Sequence, residues 1–148
     1  MIRLQADPFD AGRELAAFAA RVAGAGAIAS FLGLVRGESG GENVSVLELE
    51  YYPCLTGRSV AAIGEDARGR FELIGFVILH RTGALAAGEP IVFVAAAAAH
   101  RRAAFEAVDY MMDRLKTEAP FWKREHVPSG SRWIEARDAD LRDRARWE

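Results

Sequence analysis

The sequence predicts an α+β domain of two layers, with a mostly antiparallel sheet and about three helices. Three observations carry that prediction. Segments of alternating apolar residues are interleaved with segments of helical period. Strand-like runs recur on either side of turn-rich connections, as in hairpins. No internal repeat or low-complexity linker divides the 148 residues, and a hydrophobic content of 51% suffices for one core in a single domain over residues 1–148.

The chain opens with a short strand from Ile2 to Gln5. Asp10 is then placed as an N-cap before Leu15, Phe18 and Val22 at helical spacing, and Gly24 closes this first helix. Ala27 to Arg36 and Val44 to Tyr51 are strands, the second alternating Leu47, Leu49 and Tyr51 against Glu48 and Glu50. The GESGGEN between them is a flexible connection. Pro53 and Thr56 open a second helix with Val60, Ile63 and Ala67 on its inner face and Gly69 near its end. Phe71 to Arg81 and Pro90 to about Ala98 are further strands, joined through TGALAAGE in a hairpin-like return. Ala95 to Ala99 favour helix on propensity, so the boundary with the third helix, about Arg102 to Glu118, is the least determined point. After Pro120, FWKREHV and SRWIEA pair around Pro128-Ser129-Gly130, and from Arg137 the chain is a charge-rich tail containing Trp147.

Charge and composition narrow the function classes. A net charge of −2 gives no global reason to expect nucleic acid, so any anion site is local. The single cysteine, Cys54, excludes an internal disulfide framework and suits a reducing cytoplasm. The N-terminus lacks a basic flank followed by an apolar run, and IVFVAAAAA is too short to span a bilayer, so a soluble cytoplasmic protein without membrane partners is expected. His80, His100, His126 and Cys54 have no zinc-site spacing, and no metal or cofactor is expected.

Three groups of cations stand out. Lys116 follows Phe105 by eleven residues, about three helical turns, and so shares the face of Phe105 and Met112. On a stripe of Phe105, Val108, Met112 and Leu115, a lysine either snorkels, pairs with Asp113, or sits in a partly dry pocket that lowers its pKa. Lys123 lies just beyond the helix-stopping Pro120. His100-Arg101-Arg102 falls at the start of the third helix, where cations oppose the macrodipole unless they are solvated or face an anion. Arg36 ends the strand FLGLVR beside the glycine-rich loop, well placed either to clamp an anion or simply to be solvated.

Taken together, GLVRG (33–37), LELEYYP (47–53), HRTG (80–83), AHRRAAFEA (99–107), MDRLKTEAPFWKRE (112–125) and RWIEARDAD (132–140) resemble the large, catalytic subunit of molybdopterin synthase, over nearly the whole chain. The resemblance implies an α/β hammerhead-like fold and a sulfurtransferase of molybdenum cofactor biosynthesis. Its substrate would be cyclic pyranopterin monophosphate. The sulfur would come from a small ubiquitin-like subunit with a C-terminal Gly-Gly thiocarboxylate, in a heterotetramer built on a homodimer of large subunits. It also implies Lys116 and Lys123 as catalytic residues, and Arg36, His100 and Arg101 as the pocket for the phosphate-bearing pterin. Leu34, Val35, Arg124 and Glu125 fall in the same motifs and are expected to line that pocket. Cys54-Leu55 departs from the Gly-Met usual in this family after Tyr-Pro, and the loop 37–43 has its own composition. A thiocarboxylate and a cyclic phosphate are both anions, so their meeting requires fixed positive groups, and the chemistry requires proton transfer. Lys116, desolvated beside Phe105 and Met112, is the expected lysine of lowered pKa. The competing assignments are a non-catalytic module that binds a ubiquitin-like partner or a phosphorylated small molecule, and an acyl or phosphoryl transferase.

Overall fold

The computed structural model describes residues 1–148. Its first sheet joins β1 (Ile2–Gln5), β2 (Ala27–Leu34), β6 (Gly75–Arg81) and β8 (Pro90–Ala98) in the order β1-β6-β8-β2. All pairs are antiparallel except β1 with β6, and β2, last in that order and paired only to β8, is a free edge. The second sheet has the order β10-β9-β5-β7, from β5 (Val46–Tyr51), β7 (Gly83–Ala86), β9 (Phe121–Val127) and β10 (Gly130–Ile134). A small ribbon of β3 (Glu38–Ser39) and β4 (Glu42–Asn43) rises from the glycine-rich loop. The helices are α1 (Ala11–Arg21), α2 (Pro53–Arg70), α3 (Arg101–Glu118) and α4 (Asp138–Ala145). This is the expected α+β class. No helix is long and apolar enough to cross a membrane.

The alanine run is strand through Ala98. Ala95 to Ala97 lie at the centre of the first sheet, paired to β2 on one side and β6 on the other, so both backbone edges are satisfied, and Ala98 continues the pairing with β2. Their alternation serves two cores. Ala96 and Ala98 face Val60, Ile63, Ala107 and Met111 of α2 and α3, while Ala95 and Ala97 face Phe18 of α1. Helix propensity loses to two hydrogen-bonded neighbours and two layers that need small residues.

Three expectations are corrected. The strand placed at Phe71 begins at Gly75, because α2 continues to Arg70, Phe71 caps it, and Glu72 turns the chain with φ 51°. The connection TGALAAGE is more than a turn: β6 and β8 pair directly as a hairpin would, but β7 leaves to join β5 in the other sheet. The tail forms a fourth helix. Its own sequence buries nothing, and it is fixed from outside: Trp147 Nε1 and Arg146 donate to Asp113 at 2.7 and 2.8 Å, and Arg144 Nε donates to Glu118 at 2.7 Å. Trp147 also packs edge-on to Phe71 and Tyr110.

Local signals elsewhere held. Asp10 caps α1 by accepting from Arg13 N at 2.9 Å, a contribution of about 1 kcal/mol. Thr56 lies inside α2, where its buried hydroxyl accepts from Tyr52 N at 3.1 Å and donates to the Pro120 carbonyl at 2.8 Å. That bond ties the start of α2 to the turn that launches β9. Gly64 seats α2 on β6: a Cβ there would meet the Phe76 ring at 2.2 Å. Gly64→Ala is therefore expected to lower stability by about 2 kcal/mol, read as a lower midpoint in thermal or denaturant unfolding. An unchanged midpoint would mean that the ring has room to move.

Candidate active site

At the end of α3 the two sheets leave a cleft of about 560 Å³ that merges with a smaller chamber of about 270 Å³. Leu34, Arg36, Ile91, Leu115, Lys116 and Lys123 line both. Arg36 arrives just beyond β2, where buried Val35 anchors the chain by accepting from Gly88 N and donating to the Glu89 carbonyl. Lys116 comes from the last turn of α3 and Lys123 from β9, on opposite sides of Pro120. These two are the only lysines among 19 Lys and Arg residues. An arginine holds its charge at any accessible pH, whereas a lysine can give up a proton, so this choice of residue is itself a signal. The sequence carried it in plain view.

The expected electrostatics fall on the other lysine. The inner face of α3 is Ala104, Ala107, Val108, Met111 and Leu115. Phe105, which Lys116 does follow by three turns, is 65% exposed, and Lys116 is exposed too. Asp113 is occupied by Arg146 and Trp147 and does not pair with Lys116. The desolvated amine belongs to Lys123. Burial first and the charge of Lys116 second lower its pKa to about 8, with Asp140 working the other way.

Asp140, on the first turn of α4, was not singled out in the sequence. It accepts from Arg137 N at 2.9 Å. Although its own burial acts to raise its pKa, that bond, the Arg137 side chain and Lys116 hold it below the usual value. The C-terminal latch of Trp147 and Arg144 thus brings a carboxylate to the lysines. Only contacts distant in sequence reveal this.

Of the remaining expected residues, Leu34, Val35 and Glu125 line the cleft. Arg124 does not. Side chains alternate along β9, so Lys123 and Glu125 face the cleft while Arg124 turns to the other side, donating to Glu48 at 2.5 Å and lying over Trp133 at 5.2 Å. His100 and Arg101 are also elsewhere. They line a separate hollow with Gly26, Ala27, Arg102 and Phe105 at the start of α3. Fifteen residues of helix, roughly 22 Å, separate Arg101 from Lys116. One chain does not bring its two cationic groups together.

Fold and cleft define an α+β protein that gathers two cations, Arg36 and Lys116, around the half-buried, titratable amine of Lys123, an arrangement suited to anion chemistry. Residues 4–118 match the family described as MoaE protein, and the chain belongs to that family. It is 48% identical over 146 residues to the molybdopterin synthase catalytic subunit of Cereibacter sphaeroides, covering 99% of each chain, Lys123 and α4 included. The solved structure of the molybdopterin biosynthesis MoaE protein from Burkholderia ambifaria superposes with a TM-score of 0.83 at 44% identity, covering 99% of this chain and 97% of that one. A Helicobacter pylori structure, a protein–protein complex of subunits 1 and 2 of molybdopterin-converting factor, shares the fold at a TM-score of 0.72 and 21% identity, over 93% of this chain and 90% of that one.

Proposed function

We propose that this chain is the catalytic subunit of a molybdopterin synthase. It transfers sulfur from the thiocarboxylated C-terminus of a small ubiquitin-like subunit to cyclic pyranopterin monophosphate, forming the dithiolene of molybdopterin. The observation that carries this reading is the convergence of Arg36, Lys116 and Lys123 on one cleft, with Lys123 desolvated. Two anions must meet for sulfur to move, and fixed cations in a partly dry site offset their repulsion. Sulfur attack opens the phosphate ring and joins carrier to substrate as a thioester, and water then cleaves that thioester to leave sulfur on the pterin and a carboxylate on the carrier tail, so protons must be given and taken. Near neutral pH Lys123 can do both. Exposed Lys116 is suited to orienting the thiocarboxylate.

The distant His100 and Arg101 join this site through a second copy of the chain. The free edge of β2 carries exposed Phe31, Leu32 and Leu34, with Phe105 of α3 also exposed. The His100–Arg101 hollow lies beside the first residues of β2, and the lysine chamber lies beside its last. Eight residues of strand span about 24 Å, close to the separation along α3. A twofold axis that sets two β2 edges antiparallel therefore brings one protomer's His100 and Arg101 toward its partner's lysines. Each site then holds a thiocarboxylate beside the lysines and a phosphate beside the arginines.

The decisive experiment combines the purified chain, thiocarboxylated small subunit and cyclic pyranopterin monophosphate, and follows molybdopterin formation. Turnover dependent on all three is expected. Stable binding of the small subunit or pterin without conversion would instead identify a non-catalytic module.

A further inference from the structure

His80 is 5% exposed and lies in the chamber that holds Lys123, yet nothing in the proposed chemistry uses it. Its surroundings are closely specified. Nδ1 lies 2.8 Å from the Arg81 carbonyl oxygen. A carbonyl only accepts, so the ring proton sits on Nδ1 and Nε2 keeps its lone pair. The ring stacks on Phe121 at 4.1 Å and 18°. Phe121 and Lys123 are two apart on β9 and share a face, so the stack sets His80 on the lysine's side of that strand. Arg81 fixes the end of β6 by donating from Nε and Nη2 to the Ala6 carbonyl and from Nη1 to Glu89. With Nδ1 committed and one ring face covered, the Nε2 edge is what remains for the chamber.

We propose that His80 is a positioning residue for Lys123: its imidazole, fixed with the proton on Nδ1, offers the Nε2 lone pair to the Lys123 ammonium and orients that amine within the cleft. This rests on Lys123 being the working lysine of sulfur transfer. Burial and the nearby charge of Lys123 lower the pKa of His80 to about 4, so at neutral pH the ring is an acceptor and does not add a fourth cation to Arg36, Lys116 and Lys123. Other elements also place charge around Lys123: Glu38 from β3, Glu125 from β9, and Glu135, Arg137 and Asp140 after β10. All of these reach it from the outer cleft. On the chamber side, the neighbours of Lys123 other than His80, Arg36 and Lys116 are apolar, including Ile91, Val92, Met112 and Leu115.

The test reads the amine directly. With two lysines in the chain, the Nζ signals of isotope-labelled protein are assigned by Lys116→Arg and titrated. His80→Asn keeps a donor for the Arg81 carbonyl but removes the acceptor, so the Lys123 midpoint is expected to fall by about half a unit or more. His80→Gln, whose amide oxygen reaches the position of Nε2, is expected to restore it in part. In the wild-type protein, the imidazole nitrogen shifts are expected to report a neutral ring protonated on Nδ1 between pH 5.5 and 8. A Lys123 midpoint unmoved in His80→Asn, or a wild-type ring that is charged or protonated on Nε2, would overturn the proposal and leave His80 a packing residue. The titration needs no substrate. Loss of turnover in Lys123→Ala is measured separately, so failure of the sulfur-transfer assignment and failure of this one are distinguishable.

Discussion

Lys123→Ala is expected to lower the rate of molybdopterin formation by about 10²–10³-fold or more, with the small subunit still bound. The amine sits on β9, a strand paired on both sides by β5 and β10, and its removal leaves that ladder intact. The measurement is single-turnover conversion with saturating small subunit, which separates chemistry from docking. Lys123→Arg keeps a cation but cannot release a proton near neutrality, so it distinguishes an electrostatic clamp from a proton carrier. If the charge alone matters, the arginine variant retains most of the rate, and the alkaline loss of wild-type activity near pH 8 disappears. If proton exchange matters, it fails nearly as completely as alanine. Stability gives an independent check. The folded pKa, about 8, lies below the 10.5 of a free lysine. Below pH 8 the amine is charged in both states and its burial penalty is fully present. As pH rises from about 8 toward 10.5, the folded chain loses a proton that the unfolded chain keeps, so stability should rise relative to Lys123→Ala across that window. A flat difference between the two proteins there would mean that Lys123 is not desolvated in solution.

Mixing two inactive variants should restore activity. Arg101→Ala removes a cation expected to bind the pterin phosphate and should lower kcat/KM by about 10–100-fold, the range for a charge-assisted hydrogen bond. Dissociated and reassociated in equal amounts with Lys123→Ala, it forms mixed dimers as about half of the population. Under the proposed twofold arrangement, each mixed dimer has one site that carries both lesions and one that carries neither. Activity of about a quarter of wild type is therefore expected from two proteins that have little alone. Were each site built within a single chain, no intact site would form and no recovery would occur. The roughly 22 Å between Arg101 and Lys116 along α3 already weighs against that arrangement.

The course of the chain was largely legible, because its signals are local. Asp10 caps α1, Pro53 starts α2, Pro120 ends α3, and Leu47 and Leu49 alternate inward on β5. What was not legible depends on distant neighbours. The alanine run is a strand because β2 and β6 flank it, β7 leaves its hairpin because β5 offers an edge, and α4 forms where Asp113 and Glu118 receive Trp147 and Arg144. The site divides in the same way. Motif and residue type singled out Arg36, Lys116 and Lys123, and all three meet in the cleft. Helical spacing correctly put Lys116 on the face of Phe105, but that face is exposed and the half-buried, desolvated amine is Lys123.

By itself, then, the sequence determined most of the elements and their order, the family, and the basic residues Arg36, Lys116 and Lys123 that gather in the cleft, since each is written in residue type and short-range spacing. Only the tertiary structure decided which lysine is desolvated, that Arg124 turns away, that Asp140 lies near Lys123 and His80 lines the same chamber, and that His100 and Arg101 line a separate hollow. Desolvation and coulombic coupling depend on distances through space, and folding sets those distances by packing segments that are far apart along the chain.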